Sequence, residues 1–136
     1  MIGVEGLNLL GSILYIDDEV GCLNLFQEMF GGENDVRTAT TPAEGRRMLE
    51  ERPADIIISD QTMPEITGTD FLKEVALTHP PSYRVLLTGS IRFGEVIPEI
   101  GDGTVHFFAP KPWTREDMRQ MFERAGVHLA QYCKTH

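Results

Sequence analysis

The segment ILYIDDE, residues 13–19, joins an apolar run of strand length to three consecutive acidic residues. Its apolar residues are continuous rather than alternating, which is typical of a strand that is covered on both faces. Three later segments have the same design: IIISD at 56–60, RVLLTG at 84–89 and VHFFAPK at 105–111. Each contains an apolar run that leads, directly or closely, to one polar residue. The four segments therefore predict parallel strands whose carboxyl ends carry the chemistry.

Amphipathic stretches of ten or more residues separate these runs, and this alternation favours βα units around a parallel sheet. The first helix is predicted from Val20 to Phe30, because apolar residues recur there at spacings of three and four. Residues 36–40 predict a short second strand. Thr41 and Glu44 then predict a capping box at the start of the second helix. The fold class is thus α/β, a doubly wound sheet of five parallel strands with five helices.

The remaining helices differ in how clearly the sequence defines them. A third helix is predicted over 69–78, and the proline pair that follows stops it. The last helix is predicted over 114–132, with Asp117 as the acid of a second capping box. A fourth helix over 92–100 is expected to be short or distorted, because Pro98 lies inside it.

Composition excludes several classes of function. Lys and Arg number 12 against 21 Asp and Glu, so the formal charge of −9 disfavours direct binding to nucleic acid or to an anionic membrane. No apolar stretch approaches the roughly 20 residues of a membrane span. Two distant cysteines make no disulfide framework, which fits a reducing cytoplasm. None of the four histidines has metal-ligand spacing, and we expect ordinary surface or packing roles for them.

Polar residues at the ends of parallel strands meet at one edge of the sheet, where open α/β sheets bind their ligands. Asp17 and Asp18 follow the first strand, Asp60 ends the third, Thr88 ends the fourth and Lys111 follows the fifth. Clustered carboxylates repel one another by several kcal/mol at an effective dielectric of about 20, and a divalent cation relieves that repulsion. Oxygen ligands favour Mg²⁺, with Mn²⁺ possible. The hydroxyl and the ammonium add donors for a phosphoryl group, with an aspartate as its acceptor.

Each signal has a simpler explanation when it is taken alone. An acidic pair after a strand is commonly a helix cap or a solvated turn. Asp60 could stabilise the turn that Pro64 and Gly68 indicate, and Thr88 and Lys111 are weak signals individually. Their occurrence together, each after the expected strand, favours the phosphoryl site.

These residues resemble the receiver domain of two-component response regulators, over about residues 11 to 133. The resemblance rests on ILYIDDE at 13–19, on Asp60 with Met63-Pro64 and Gly68, on LLTGS at 86–90 and on FAPKPW at 108–113. It implies a flavodoxin-like sheet of strand order 2-1-3-4-5. It also implies one receiver domain over 12–133, with tails at 1–11 and 134–136.

The resemblance implies a role for each site residue. Asp60 would be the phosphoacceptor for a phosphohistidine on a histidine kinase or a phosphotransfer protein. Mg²⁺ would bind to the carboxylates of Asp18 and Asp60 and to the backbone carbonyl of Thr62, whereas Asp17 would act through metal-bound water. Lys111 would pair with the phosphoryl group, and its bond to the following proline would be cis.

The resemblance also implies a conformational switch. Thr88 would turn toward the phosphoryl group and Phe108 would rotate inward, changing a surface formed by the fourth helix, the fifth strand and the last helix. Phe108 has no hydroxyl, so this switch would be a packing event. Pro98 disturbs that surface, while Gln61, Thr62 and Ser90 would border the route of attacking water.

The implied protein is a cytoplasmic signalling domain rather than an enzyme. Its partners would be the phosphodonor and an output domain or effector protein, and a homodimer is possible. Two alternatives stay open: a degenerate receiver that serves as an interaction scaffold, and an aspartyl-phosphate phosphohydrolase. The second normally has an aspartate two residues after the first, where this chain has Glu19. A flavin carrier of similar fold would need a Ser/Thr-rich phosphate loop, which is missing after the first strand.

Overall fold

The computed structural model describes residues 11–89 and 102–135. Five parallel strands form one sheet in the order β2-β1-β3-β4-β5. The strands are β1 (Ser12–Ile16), β2 (Asp35–Ala39), β3 (Ile56–Asp60), β4 (Tyr83–Thr88) and β5 (Phe107–Pro110). The helices in these ranges are α1 (Val20–Phe30), α2 (Pro42–Glu51), α3 (Gly68–Thr78) and α4 (Arg115–Thr135).

The predicted fold class and strand order are confirmed. The described ranges contain four helices rather than the five expected, and the helix predicted over 92–100 lies outside them, as does Ser90. Most of the predicted N-terminal tail also lies outside. The domain limits at 12 and 133 stay a prediction.

Successive residues of β1 face opposite sides of the sheet, and this alternation builds two cores. Ile13 and Tyr15 pack with side chains of α1 and α4, whereas Leu14 and Ile16 pack with those of α2 and α3. All four are completely buried. A strand covered on both faces explains the continuous apolar run in the sequence.

The strand register places the polar residues at one edge. Ile16 of β1 is opposite Ser59 of β3, so the residues that follow them, Asp17 and Asp60, lie side by side. On the other side of β3, Thr88 at the end of β4 pairs with Pro110 at the end of β5. The parallel register thus brings together residues that are far apart in the chain.

Two helix starts were predicted to carry capping boxes, and the structure shows one as predicted and one with a small difference. Thr114 and Asp117 form the predicted capping box, since each side chain accepts a hydrogen bond from the other residue's backbone amide, at 2.7 and 3.1 Å. At α2 the Thr41 hydroxyl caps as predicted, but Glu44 accepts from the amide of Thr40 instead of from that of Thr41. The predicted box is therefore displaced by one residue on that side.

The fifth strand lies two residues later than its apolar run predicts. Its pairing with β4 runs from Phe107 to Pro110, and the amide of Lys111 donates to the carbonyl of Thr88 at 3.1 Å. Val105 is buried against the α2–α3 face but precedes the strand. In this apolar run, Val105 is therefore already buried, but pairing with β4 begins only at Phe107.

Candidate functional site

Three carboxylates meet at the carboxyl edge of the sheet. Asp17 follows β1, Asp60 ends β3 and Glu19 precedes α1, and each offers an oxygen within 4.8 Å of the other two. Asp17 is completely buried and Asp60 is 4% exposed, whereas Glu19 is exposed. The site therefore combines two charges removed from water with one that can move.

The ammonium of Lys111 lies at the centre of this group. Its Nζ atom is 3.1 Å from Asp17 Oδ2, 3.0 Å from Asp60 Oδ2 and 2.6 Å from Glu19 Oε1. Three ionised carboxylates and one ammonium leave an excess of two negative charges, which one divalent cation would balance. The peptide bond between Lys111 and Pro112 is cis, as the sequence analysis expects.

The pKa of Asp60 reflects this excess negative charge. Burial raises the pKa of Asp60, and the charge of Asp17 acts in the same direction, while hydrogen bonding to Lys111 opposes both. Burial lowers the pKa of Lys111, but hydrogen bonds to Glu19, Asp60 and Asp17 outweigh that effect and leave its pKa raised. Lys111 is therefore a permanent cation beside Asp60, whose charge it compensates only in part.

A chain of buried hydrogen bonds holds Asp17. The Tyr15 hydroxyl donates to Asp17 Oδ2 at 2.8 Å, and the indole Nε1 of Trp113 donates to the Tyr15 oxygen at 3.2 Å. The backbone amide of Glu19 donates to the other oxygen of Asp17 at 2.9 Å. Each carboxylate oxygen of Asp17 thus has a donor besides Lys111.

The loop after Asp60 is closed tightly on the strand. A Cβ added to Gly68 would lie 2.3 Å from the Asp60 carbonyl oxygen, so this approach requires glycine. The Gly68 amide donates to the Gln61 carbonyl at 3.0 Å. The Gln61 side chain accepts from the amide and hydroxyl of Thr69, at 2.9 and 2.8 Å. The Gln61 side chain is thereby held at the start of α3, and its expected place beside the route of attacking water stays a prediction.

An open cleft of about 580 Å³ lies over the site. Its lining residues are Asp18, Glu19, Cys22, Asp60, Thr62, Gly89, Lys111 and Pro112. Asp18 is exposed and lies outside the group of three carboxylates. The cleft nevertheless brings together Asp18, Asp60 and Thr62, the three residues expected to supply metal ligands.

Of the two predicted switch residues, Thr88 lies beside the cleft and Phe108 lies on β5. Thr88 is 8% exposed at the end of β4, directly before Gly89 of the cleft wall. Phe108 on β5 is half-buried against the α2–α3 face of the sheet, in the same cluster as Leu86. The described structure places both near Asp60 in the sheet order, since β3, β4 and β5 are consecutive.

Three residues that contact the site were not predicted from the sequence: Glu19, Tyr15 and Trp113. Glu19 was part of the acidic triplet, and its contact with Lys111 could have been considered on charge alone. Tyr15 is predicted as a core residue of β1, and nothing local indicates that its hydroxyl reaches Asp17 and Trp113.

Within the described ranges, no helix has the length and apolar character that crossing a membrane requires.

Comparison with known families identifies the class of protein. The family described as "Response regulator receiver domain" matches residues 13–123, and the chain belongs to it. The solved receiver domain protein from Clostridium thermocellum is 28% identical, with a TM-score of 0.81 over 93% of this chain and 100% of that one.

Two curated relatives carry the receiver within longer proteins. The hydrogenase transcriptional regulatory protein HoxA of Cupriavidus necator is 28% identical over 120 residues, which are 85% of this chain and 25% of that protein. A protein-glutamate methylesterase/protein-glutamine glutaminase of Hydrogenovibrio crunogenus is 27% identical over 127 residues, 90% of this chain and 33% of that protein. The chain thus spans a quarter to a third of these relatives.

Proposed function

We propose that the domain accepts a phosphoryl group on Asp60 from a phosphohistidine of a histidine kinase or phosphotransfer protein, in a reaction that requires Mg²⁺. The observation that carries this proposal is the position of the Lys111 ammonium, 3.0 Å from Asp60 Oδ2 and within reach of two further carboxylates. A scaffold without phosphoryl chemistry has no need for a buried carboxylate pair that repels itself.

The donor set fits a hard divalent cation. The carboxylates of Asp18 and Asp60 and the backbone carbonyl of Thr62 would hold Mg²⁺, and Asp17 would act through a water on the metal. The excess negative charge around Lys111 supports this assignment, because oxygen-rich sites prefer Mg²⁺ or Mn²⁺. When bound, the cation would neutralise charge on the phosphoryl oxygens.

The chain's own residues perform the transfer by positioning and charge. A carboxylate oxygen of Asp60 attacks phosphorus while the bond from phosphorus to the imidazole nitrogen breaks. The imidazole leaves with that electron pair and keeps the proton on its other nitrogen, so this chain moves no proton. Lys111, already paired with Asp60, then contacts an oxygen of the new acyl phosphate.

The phosphorylated state would act through Thr88 and Phe108. The Thr88 hydroxyl turns toward the phosphoryl oxygens and vacates space that the Phe108 ring enters. Phe108 is half-buried, so an inward rotation adds apolar burial without a hydroxyl to desolvate. The surface around β5, α4 and residues 92–100 would change with it.

The proposed function also includes the output that this domain controls. HoxA is named as a transcriptional regulator and the Hydrogenovibrio protein as a methylesterase, so receivers related to this chain accompany different outputs. We infer that this domain is a cytoplasmic phosphoacceptor without its own substrate turnover. It controls an output domain or effector protein, and a homodimer is a further possible form.

The decisive test is the intact mass of the chain after incubation with acetyl phosphate and Mg²⁺. We expect one phosphoryl adduct on the wild type, and none with Asp60→Asn or with a chelator present. Asp70→Asn, an exposed aspartate in the first turn of α3, serves as the matched control and should keep the adduct.

A folded wild type without an adduct leads to a second measurement with beryllofluoride. A stable complex would indicate a short-lived phosphoryl group on a working site. No complex would contradict the proposal and favour the interaction scaffold. Repeated turnover of a small phosphate ester would favour the phosphohydrolase.

A further inference from the structure

The hydrogen-bond chain behind Asp17 has no evident role in the packing of the core. Tyr15 packs its ring edge against Phe26, with centroids 5.2 Å apart at 75°, and a phenylalanine ring would make the same contact. The hydroxyl is nevertheless present on a completely buried residue. Burying a hydroxyl is unfavourable unless it forms hydrogen bonds, and this one forms two.

The chain of hydrogen bonds has a fixed direction. The indole of Trp113 can only donate, so the Tyr15 oxygen accepts from it and donates its own proton to Asp17. The direction therefore runs from Trp113 through Tyr15 to Asp17.

The hydroxyl is one of two uncharged donors that orient the Asp17 carboxylate, the other being the backbone amide of Glu19. The terminal torsion of an aspartate is broad, and both Asp17 oxygens lie close to Lys111 Nζ, at 3.1 and 3.2 Å. Lys111 therefore does not distinguish one orientation of the carboxylate from another. The Tyr15 hydroxyl on Oδ2 does distinguish them, together with the Glu19 backbone amide on Oδ1.

We propose that the Tyr15 hydroxyl is a positioning group that presents Asp17 to the divalent cation, and that Trp113 couples this contact to the start of α4. The proposal deepens the proposed function and rests on it, since it assumes the Mg²⁺ site. Without the hydroxyl, Asp17 Oδ2 loses its uncharged donor, and the Lys111 ammonium, 3.1 Å away, then competes with the cation for that oxygen. Trp113 lies two residues before α4, so metal occupancy reaches that helix by a route separate from Thr88 and Phe108.

The first experiment measures Mg²⁺ binding to the whole chain by isothermal titration calorimetry. We expect Tyr15→Phe to weaken Mg²⁺ binding about tenfold, in line with the loss of other partners that orient metal ligands. Tyr83→Phe is the matched control, because Tyr83 is a second buried tyrosine at the opposite end of the sheet. An unchanged dissociation constant for a folded Tyr15→Phe would overturn the proposal.

The second experiment tests the coupling to Trp113, the single tryptophan of the chain. Mg²⁺ should change its fluorescence in the wild type and leave it unchanged in Tyr15→Phe. In calorimetry, Trp113→Phe should weaken binding less than Tyr15→Phe does, and it should add nothing in the Tyr15→Phe background. Additive effects, or a silent tryptophan in a wild type that binds Mg²⁺, would contradict the coupling.

The design separates this inference from the function on which it rests. A wild type that binds no Mg²⁺ contradicts the proposed function itself. A wild type that binds Mg²⁺ as tightly as Tyr15→Phe contradicts only the role of the hydroxyl. Should Tyr15→Phe fail to fold with the Trp113 donor unpaired, Tyr15→Phe/Trp113→Phe removes both groups, and the same tenfold loss of affinity is expected.

Discussion

The two ends of the sheet bury charge in opposite ways. At the carboxyl edge, Asp17 and Asp60 share one ammonium from Lys111, and negative charge remains in excess. At the amino edge, the guanidinium of Arg84 is 5% exposed and is held by neutral oxygens. It donates to the carbonyls of Thr104 at 2.8 Å, Gly103 at 3.0 Å, Ser82 at 3.1 Å and Pro80 at 3.2 Å.

The charges at the carboxyl edge can be redistributed by side-chain movement, whereas the charge of Arg84 is fixed by contacts with the backbone. Backbone carbonyls cannot leave Arg84 without unfolding their loops, so the cation ties two loops to β4. The carboxylates around Lys111 belong to side chains, and one of them, Glu19, is exposed and free to turn. Under the proposed function, an incoming cation or phosphoryl group would therefore displace contacts at the carboxyl edge alone.

Two histidines, His106 and His128, pack beside Arg84 at the amino edge of the sheet. His106 stacks on Tyr83, with centroids 5.1 Å apart at 10°, and its ring centroid lies 4.3 Å from that of His128. Burial, the charge of Arg84 and the neighbouring His128 lower the pKa of His106 to about 4. The expectation of a packing role is met by these two histidines, which remain neutral beside a buried cation.

The largest expected effect comes from removing that cation. Arg84→Met should lower the free energy of unfolding by about 3 kcal/mol, because four backbone carbonyls lose a charged donor while a buried charge is also removed. Urea unfolding followed by circular dichroism measures it, with exposed Arg115→Met as the control. Equal or higher stability for Arg84→Met would mean that the two ends bury charge at similar cost.

An intermediate effect should appear in acid. Because the folded pKa of His106 lies below the unfolded value of about 6.5, the unfolded state alone takes up a proton between these values. Stability is therefore full above pH 6.5 and falls as the pH drops toward 4, by roughly 1–2 kcal/mol after allowance for solvent screening.

The matched variant for this pH effect is His106→Asn. Its amide oxygen can replace the ring Nδ1 atom that accepts from the Arg84 amide at 3.0 Å, but it does not titrate. The loss of stability between pH 6.5 and 4 should become smaller than in the wild type, when unfolding curves are compared at half-unit steps. An identical acid slope would mean that His106 is as easily protonated in the folded chain as in the unfolded one.

The smallest expected effect has the opposite sign. The pKa of Asp60 is raised in the fold, so its ionised form is unfavourable at neutral pH and the cost disappears below the unfolded pKa. Asp60→Asn should therefore raise stability at pH 7 by about 1 kcal/mol, since relief of repulsion is partly offset by the lost pairing with Lys111. The gain should vanish near pH 3, and a loss at pH 7 would show that pairing outweighs repulsion.

The sequence predicted what depends on local patterns and on parallel topology. Apolar runs and polar strand ends were sufficient to bring Asp17, Asp60 and Lys111 together, because the carboxyl ends of neighbouring strands always meet. The Tyr15 hydroxyl could not be predicted, since its partner Trp113 is 98 residues away and ring orientation depends on packing against α1. The contact of the Gln61 side chain with Thr69 could not be predicted for a similar reason, since only the folded loop brings the two donors of Thr69 near.

The contact of Gly68 with the Asp60 carbonyl has a consequence for protein engineering. Residues 62–67 form a segment whose two ends are fixed, by the hydrogen bond between Gln61 and Gly68 and by the close approach at Gly68. Met63 and Ile66 of this segment pack against the α2–α3 core and the Thr67 hydroxyl caps α3, so a change in its length would move Asp60 relative to both. Under the proposed function, a library that varies the exposed Thr62 at constant segment length would test whether this position sets how long the phosphoryl group lasts.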